Sequence, residues 1–164
     1  MREPDEYAVL KAEYAERFMD EAAGAASQLR TYDVLIADVE RDCSGVGGVS
    51  YDKVGSNPNA YVDNVHDQAM RVASSLQRWK DGRKAAYAVV AAAARSISCM
   101  QDAKRRQILE LRYLDGFTWK QVGNAVGLSE SHVKHLHPSA LADLYDYIPA
   151  KFKIPAYDAH LESD

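Results

Sequence analysis

A stripe of apolar residues at helical spacing runs through residues 60–100 and constrains the fold more than any other feature. Its twelve positions alternate in steps of three and four, and only one is polar: Val62, Val65, Ala69, Val72, Leu76, Trp79, Arg83, Ala86, Val90, Ala93, Ile97 and Met100. A mean step of 3.5 is typical of a coiled-coil seam and predicts a helix of about 40 residues. Lys80-Asp81-Gly82 leaves a splitting turn as an alternative, but the register survives across Gly82 and favours one continuous helix.

A second stripe predicts a helix over residues 5–40. Its members are Tyr7, Leu10, Tyr14, Phe18, Ala22, Ala25, Leu29, Tyr32, Ile36 and Val39. Between the two stripes, residues 43–58 hold four of the nine glycines and end at a proline, so they predict a connector rather than a helix. The connector is expected to be mobile unless Tyr51 and Val54 hold it in place. Residues 1–100 are therefore expected to form a long antiparallel helical hairpin. The stripes leave open whether each helix covers the other or a second copy of the chain, as a homodimer would.

Residues 101–148 predict a compact head of short helices, so the whole chain is expected to be all-α. The first helix, residues 101–113, ends at Asp115-Gly116, where the glycine suits a left-handed cap. Thr118 is a candidate N-cap for residues 119–126, and Ser129 is one for the next helix. Residues 149–164 contain Pro149 and Pro155 and end polar, which predicts a flexible tail.

The segment from Thr118 to Leu136 fits a helix-turn-helix. Gly123 offers no side chain where two helices cross, and Gly127 suits the positive φ of a tight turn. Val133 and Leu136 are expected to face inward. The exposed side of the second helix is then free to enter a DNA major groove, and its predicted base-facing residues are Glu130, Ser131, His132, Lys134 and His135.

Basic and hydroxyl side chains around this motif are candidates for phosphate contacts: Lys104, Arg105, Arg106, Arg112, Thr118 and Lys120. The alternative for the arginines and lysines is a solvated face, and Arg112 has Glu110 and Asp115 as possible ionic partners. Residues 101–140 carry six Lys and Arg against four Asp and Glu, whereas residues 1–60 carry six against twelve. Because salt screens charges beyond about 8–10 Å, an acidic arm does not forbid a basic head.

Two residues of the head have a structural interpretation as well. Trp119, beside Phe117 at a helix start, is expected to anchor the core. Pro138 lacks a backbone N–H and clashes with the carbonyl four residues back, so it predicts a kink or a division near His137, with residues 139–147 as a separate piece.

The run from Ile108 to Trp119, the helix-turn-helix and Ala140–Leu144 resemble region 4 of bacterial sigma factors. The plan of a helical hairpin with a Gly-rich connector before such a head is more closely similar to phage transcriptional regulators of the RinA/ArpU kind. The resemblance implies a DNA-binding activator of phage late genes that contacts RNA polymerase. His132 stands where related sequences commonly have threonine, so base preference does not carry over.

Other function classes find little support in the chain. No nucleophile elbow, phosphate-binding glycine loop or zinc-ligand helix is present, so we expect neither an enzyme nor a cofactor. His132, His135 and His137 lack a fourth ligand nearby, which argues against a metal. The absence of a long apolar run and of a signal peptide, with only Cys43 and Cys99 as cysteines, predicts a cytoplasmic protein without membrane contact.

Two alternatives to a transcriptional regulator remain. A small terminase subunit, which recognises DNA for packaging, also combines a helix-turn-helix with oligomerising helices, and a ring of protomers in solution would favour it. A protein-interaction module, with the acidic hairpin as binding surface and the head as scaffold, is the third hypothesis.

Overall fold

The computed structural model describes residues 6–44 and 58–154, and these ranges contain helices and no strand. The five α-helices are α1 (Glu6–Ser44), α2 (Pro58–Ser98), α3 (Ala103–Leu109), α4 (Trp119–Val126) and α5 (Glu130–Leu144). The all-α prediction, with a helical hairpin before a helix-turn-helix head, is confirmed. Within the described ranges, no helix combines the length and the apolar character that crossing a membrane requires.

Both long helices form where the stripes predict them. α1 extends four residues beyond the predicted end, and α2 continues through Gly82 without a turn. Of the predicted connector, residues 45–57 lie outside the described ranges.

Contacts divide the described residues into two compact units. The first unit consists of residues 6–27 and 87–154, and it holds a core to which α1, α2, α3 and α5 all contribute. Its most buried large side chains include Phe18, Met19, Met100, Leu109 and Leu144. The boundary that we predict at residues 100–101 stays a prediction, and one hydrophobic core spans it.

The second unit consists of residues 28–44 and 58–86, in which α1 and α2 run antiparallel. Arg83, the polar member of the stripe, places Nε 2.7 Å from Oδ1 of Asp33. A Cβ atom added to Gly82 would lie 2.6 Å from the ring of Tyr32. Gly82 therefore marks a close approach of the two helices and not a turn.

The first helix of the head is shorter than predicted. Asp102 caps α3, because its carboxylate accepts hydrogen bonds from the amides of Lys104 and Arg105 at 2.8 and 3.0 Å. These bonds, with that to Arg105 the strongest cause, lower the pKa of Asp102. After Leu109 the chain widens into a π-helical turn, Glu110–Leu114, and Gly116 then takes a φ of 75°. The left-handed glycine is confirmed, whereas a regular α-helix to residue 113 is wrong.

The first six residues of the predicted flexible tail, 149–154, are ordered. A 3-10 turn, Ala150–Phe152, follows Pro149, and the ring of Phe152 lies 4.9 Å from that of Phe18. The amide of Ile154 donates to the hydroxyl of Tyr145 at 2.9 Å. Residues 149–154 thus pack on the first unit, and residues 155–164 lie outside the described ranges.

Candidate nucleic-acid interface

The first helix of the motif starts and stops at the predicted residues. The Thr118 hydroxyl accepts from the amide of Gln121, and the Gln121 side chain accepts from the amide of Thr118 at 2.8 Å. This reciprocal capping box satisfies two amides that the helix leaves without partners. At the other end Gly127 adopts a φ of 70°, as the tight turn requires.

The crossing of α4 and α5 depends on Gly123. A Cβ atom at this buried position would lie 2.7 Å from the carbonyl oxygen of Leu128 and 3.3 Å from the amide nitrogen of Glu130. Both contacts are with backbone atoms, which cannot rotate away as a side chain can. The amide of Leu128 also donates to the Gly123 carbonyl at 2.9 Å, and this hydrogen bond ties the turn to the glycine.

α5 begins at Ser129, whose hydroxyl accepts from the amide of His132 at 3.2 Å. Ile108, Val122 and Val133 are completely buried together and join α3, α4 and α5 in a small core. The inward orientation predicted for Val133 and Leu136 is confirmed. The helix-turn-helix is therefore a packed motif with its own apolar centre.

The five predicted base-facing residues are all exposed on the first two turns of α5. We call Glu130, Ser131, His132, Lys134 and His135 the recognition ridge. Within it, Nζ of Lys134 lies 2.6 Å from Oε1 of Glu130, one helical turn apart. The ridge thus offers a carboxylate, an ammonium, a hydroxyl and two imidazoles, which are groups that can bond to base edges.

Two of the predicted phosphate-contacting residues are available for that role. Lys104 and Lys120 are exposed, and neither forms an ion pair within the described ranges. Thr118 is exposed, but its hydroxyl is committed to capping α4.

The three arginines already have partners inside the protein. Arg105 forms ion pairs with Asp143 of α5 and with Asp102. Nη1 of Arg106 donates to the Met100 carbonyl at 2.9 Å. Arg112 donates to the Phe117 carbonyl and lies 4.5 Å above the Trp119 ring, instead of pairing with a nearby carboxylate. These contacts hold elements of the first unit together; a phosphate role for the arginines stays a prediction.

A buried polar pair lies behind the ridge, and the sequence analysis missed it. The Tyr113 hydroxyl is 2.9 Å from Nε2 of His137, and the Trp119 ring meets the imidazole edge-on at 4.8 Å. Burial is the main cause that lowers the pKa of His137, reinforced by the Arg112 charge and opposed by Asp20. Burial likewise raises the pKa of Tyr113. Both groups are therefore neutral near pH 7.

A sequence signal for His137 did exist, because it stands four residues after Val133 and four before Leu141, on the inward face of α5. The predicted division of the helix at the neighbouring Pro138 is wrong, because α5 is continuous from Glu130 to Leu144. The alternative, a kink near His137, stays a prediction. Buried residues on both sides of the proline hold the two halves in one register. The hydroxyl of Ser139 also donates to the Leu136 carbonyl at 2.8 Å.

The three histidines do not converge on one point, since His132 and His135 are exposed and His137 is buried. Across residues 6–44 and 58–154, no cluster of three or more His, Cys, Asp or Glu side chains has the geometry of a metal site.

Residues 102–146 match the family model for sigma-70, region 4. Sigma-70 region 4 domains are helix-turn-helix domains that bind DNA and interact with RNA polymerase. The match contains α3, α4 and α5, and it leaves α1 and α2 outside. Comparisons with curated proteins and with solved structures gave no match.

Proposed function

We propose that the chain uses its sigma-70 region 4 domain to bind specific sequences in double-stranded DNA and so regulates transcription. The observation that carries this proposal is the asymmetry of α5. Its recognition ridge is exposed, while Val133 and His137 on the other side of the same helix are buried. A helix held from behind in this way can enter the major groove without unfolding any part of the core.

The ridge supports readout of bases through hydrogen bonds. A carboxylate such as that of Glu130 accepts from the amino group of cytosine, and an ammonium such as that of Lys134 donates to guanine. Because these two side chains pair with each other in the free protein, binding exchanges one exposed ion pair for contacts with bases. Exposed ion pairs contribute about 0–1 kcal/mol, so the exchange costs little.

Phosphate contacts orient the domain on the duplex. Lys120 in the first turn of α4 and Lys104 in the first turn of α3 supply the charge in this proposal. Such contacts add affinity without regard to sequence and make binding sensitive to salt. The proposed activity is binding, with no catalytic step and no cofactor.

We further propose the specific role that the resemblance to phage regulators implies. The chain would activate late genes of a phage in the cytoplasm of its bacterial host and contact RNA polymerase. A homodimer through the hairpin would place two heads on one site. The exposure of Val34 and Met70 in the second unit, 60% and 56%, supports such a dimer.

In vitro selection tests this function. The purified full chain is incubated with a library of random duplexes, and the bound DNA is sequenced over several rounds. We expect one enriched motif, which is a palindrome if the protein is a dimer. Absence of enrichment would contradict the proposal.

The mass of the protein in solution distinguishes a transcriptional regulator from a small terminase subunit. A ring of many protomers would favour DNA packaging over transcription.

A further inference from the structure

A groove of about 540 Å³ lies between the first turns of α1 and the second half of α5. Its lining includes small or buried apolar side chains: Ala8, Ala12, Leu141 and Ala142. Val9, which is 48% exposed, and Pro138, which is also exposed, are further apolar residues of the lining. The α1 side of the groove lies outside the segment that matches sigma-70 region 4.

The groove is also acidic. Glu13 and Glu16 stand one turn apart on its α1 wall, both are exposed, and neither forms an ion pair within the described ranges. On the opposite wall, Asp143 is already paired with Arg105. An occupant with positive charge therefore gains two partners on α1 without breaking an existing ion pair.

We propose that this groove binds a cationic amphipathic helix of a partner protein. An apolar side chain of that helix enters the groove beside Val9 and Leu141, and its lysines or arginines pair with Glu13 and Glu16. Charge argues against the chain's own residues 155–164 as the occupant, because they contain three acidic residues and no lysine or arginine. Helix-in-groove recognition of this type combines apolar anchors with complementary charge at the rim.

A designed peptide probes the groove directly. It has about 14 residues, enough for a marginal helix, with leucines on one face and lysines flanking them. Its fluorescein-labelled form is titrated with the full chain, and anisotropy gives the Kd. We expect E13K/E16K to weaken binding about tenfold, because two attractions become repulsions. V9D is expected to weaken it as well, because it places a charge among apolar contacts.

The matched control is D42K/D67K, which changes net charge equally at two exposed positions in the second unit. Its Kd is expected to stay within about twofold of that of the unsubstituted chain. The proposal is overturned if the peptide does not bind or if the control weakens binding as much as E13K/E16K. Tighter binding by a chain ending at residue 154 would assign the groove to the C-terminal residues instead. No DNA is present, so this experiment leaves the proposed function untouched.

Discussion

The hydroxyl of Tyr113 lies 2.9 Å from Nε2 of His137, and this bond joins the π-helical turn to α5 directly behind the recognition ridge. The side chains of Trp119 from α4 and Asp20 from α1 also bear on His137, through ring contact and charge respectively. The imidazole of α5 thus contacts both the π-helical turn and α4. Its protonation state should matter for the stability of the head.

Acid is predicted to destabilise the fold through His137. Its pKa is lowered in the folded state, so the unfolded chain takes up the proton first as the pH falls from about 7. Stability from the neutral imidazole is fully present above the unfolded pKa and is lost as the pH falls through the folded one. H137Q keeps a group able to bond to Tyr113 but does not titrate. Urea unfolding at pH 7 and pH 5 should show a smaller loss of unfolding free energy for H137Q than for the unsubstituted chain.

The substitution Y113F tests the same hydrogen bond by removing the tyrosine hydroxyl. It leaves His137 buried without this partner and should cost about 1–3 kcal/mol of unfolding free energy at pH 7.

The pH prediction has its own contradicting outcome. If H137Q loses as much stability between pH 7 and pH 5 as the unsubstituted chain, His137 is not the titrating group.

The helix crossing is predicted to tolerate no side chain at position 123. G123A places a Cβ atom 2.7 Å from the Leu128 carbonyl and should lower the unfolding free energy by about 1–3 kcal/mol. Thermal unfolding followed by circular dichroism measures the change. G24A is the matched control, because a Cβ atom there meets nothing within 4 Å in the middle of α1. It should stabilise the chain by about 0.5–1 kcal/mol; equal effects of the two substitutions would refute the steric account.

The salt dependence of DNA binding should distinguish Lys120 from Arg106, whose guanidinium is already bonded within the protein. K120A removes an exposed charge without an ion pair in the described part of the chain, so the slope of log K against log salt should become shallower by about 0.9. R106A should leave the slope unchanged, because its guanidinium bonds to the Met100 carbonyl. A shallower slope for R106A would instead support the phosphate role that the sequence predicts for Arg106. Fluorescence anisotropy on the selected duplex from 50 to 200 mM salt gives both slopes. If R106A changes the slope more than K120A does, the phosphate contact belongs to Arg106 and not to Lys120.

Local chemistry made most of the head predictable from the sequence. Thr118, Gly127 and Ser129 each act within three residues of themselves, by capping or by a positive φ, so their roles follow from residue type and spacing. The two long helices were equally predictable from the sequence, because their apolar stripes repeat over ten or more positions.

The features that could not be predicted from the sequence depend on contacts between residues far apart in the chain. Arg105 looks like a free cation until Asp143, thirty-eight residues later, is placed beside it. The division expected at Pro138 failed because one lost hydrogen bond weighs less than the buried contacts of Val133 and Leu141 on either side. The π-helical turn has no local signature that we recognise, and it coincides with the burial of Tyr113.

The affinity of the recognition ridge for the selected duplex tests the central claim most directly. H132A/K134A/H135A should bind that duplex at least about 100-fold more weakly, since each good base contact contributes about 1–3 kcal/mol. H66A/K84A, which removes similar groups from exposed positions in the second unit, should bind like the unsubstituted chain. Unchanged affinity of the ridge variant, with its helical content intact, would contradict DNA recognition by this surface.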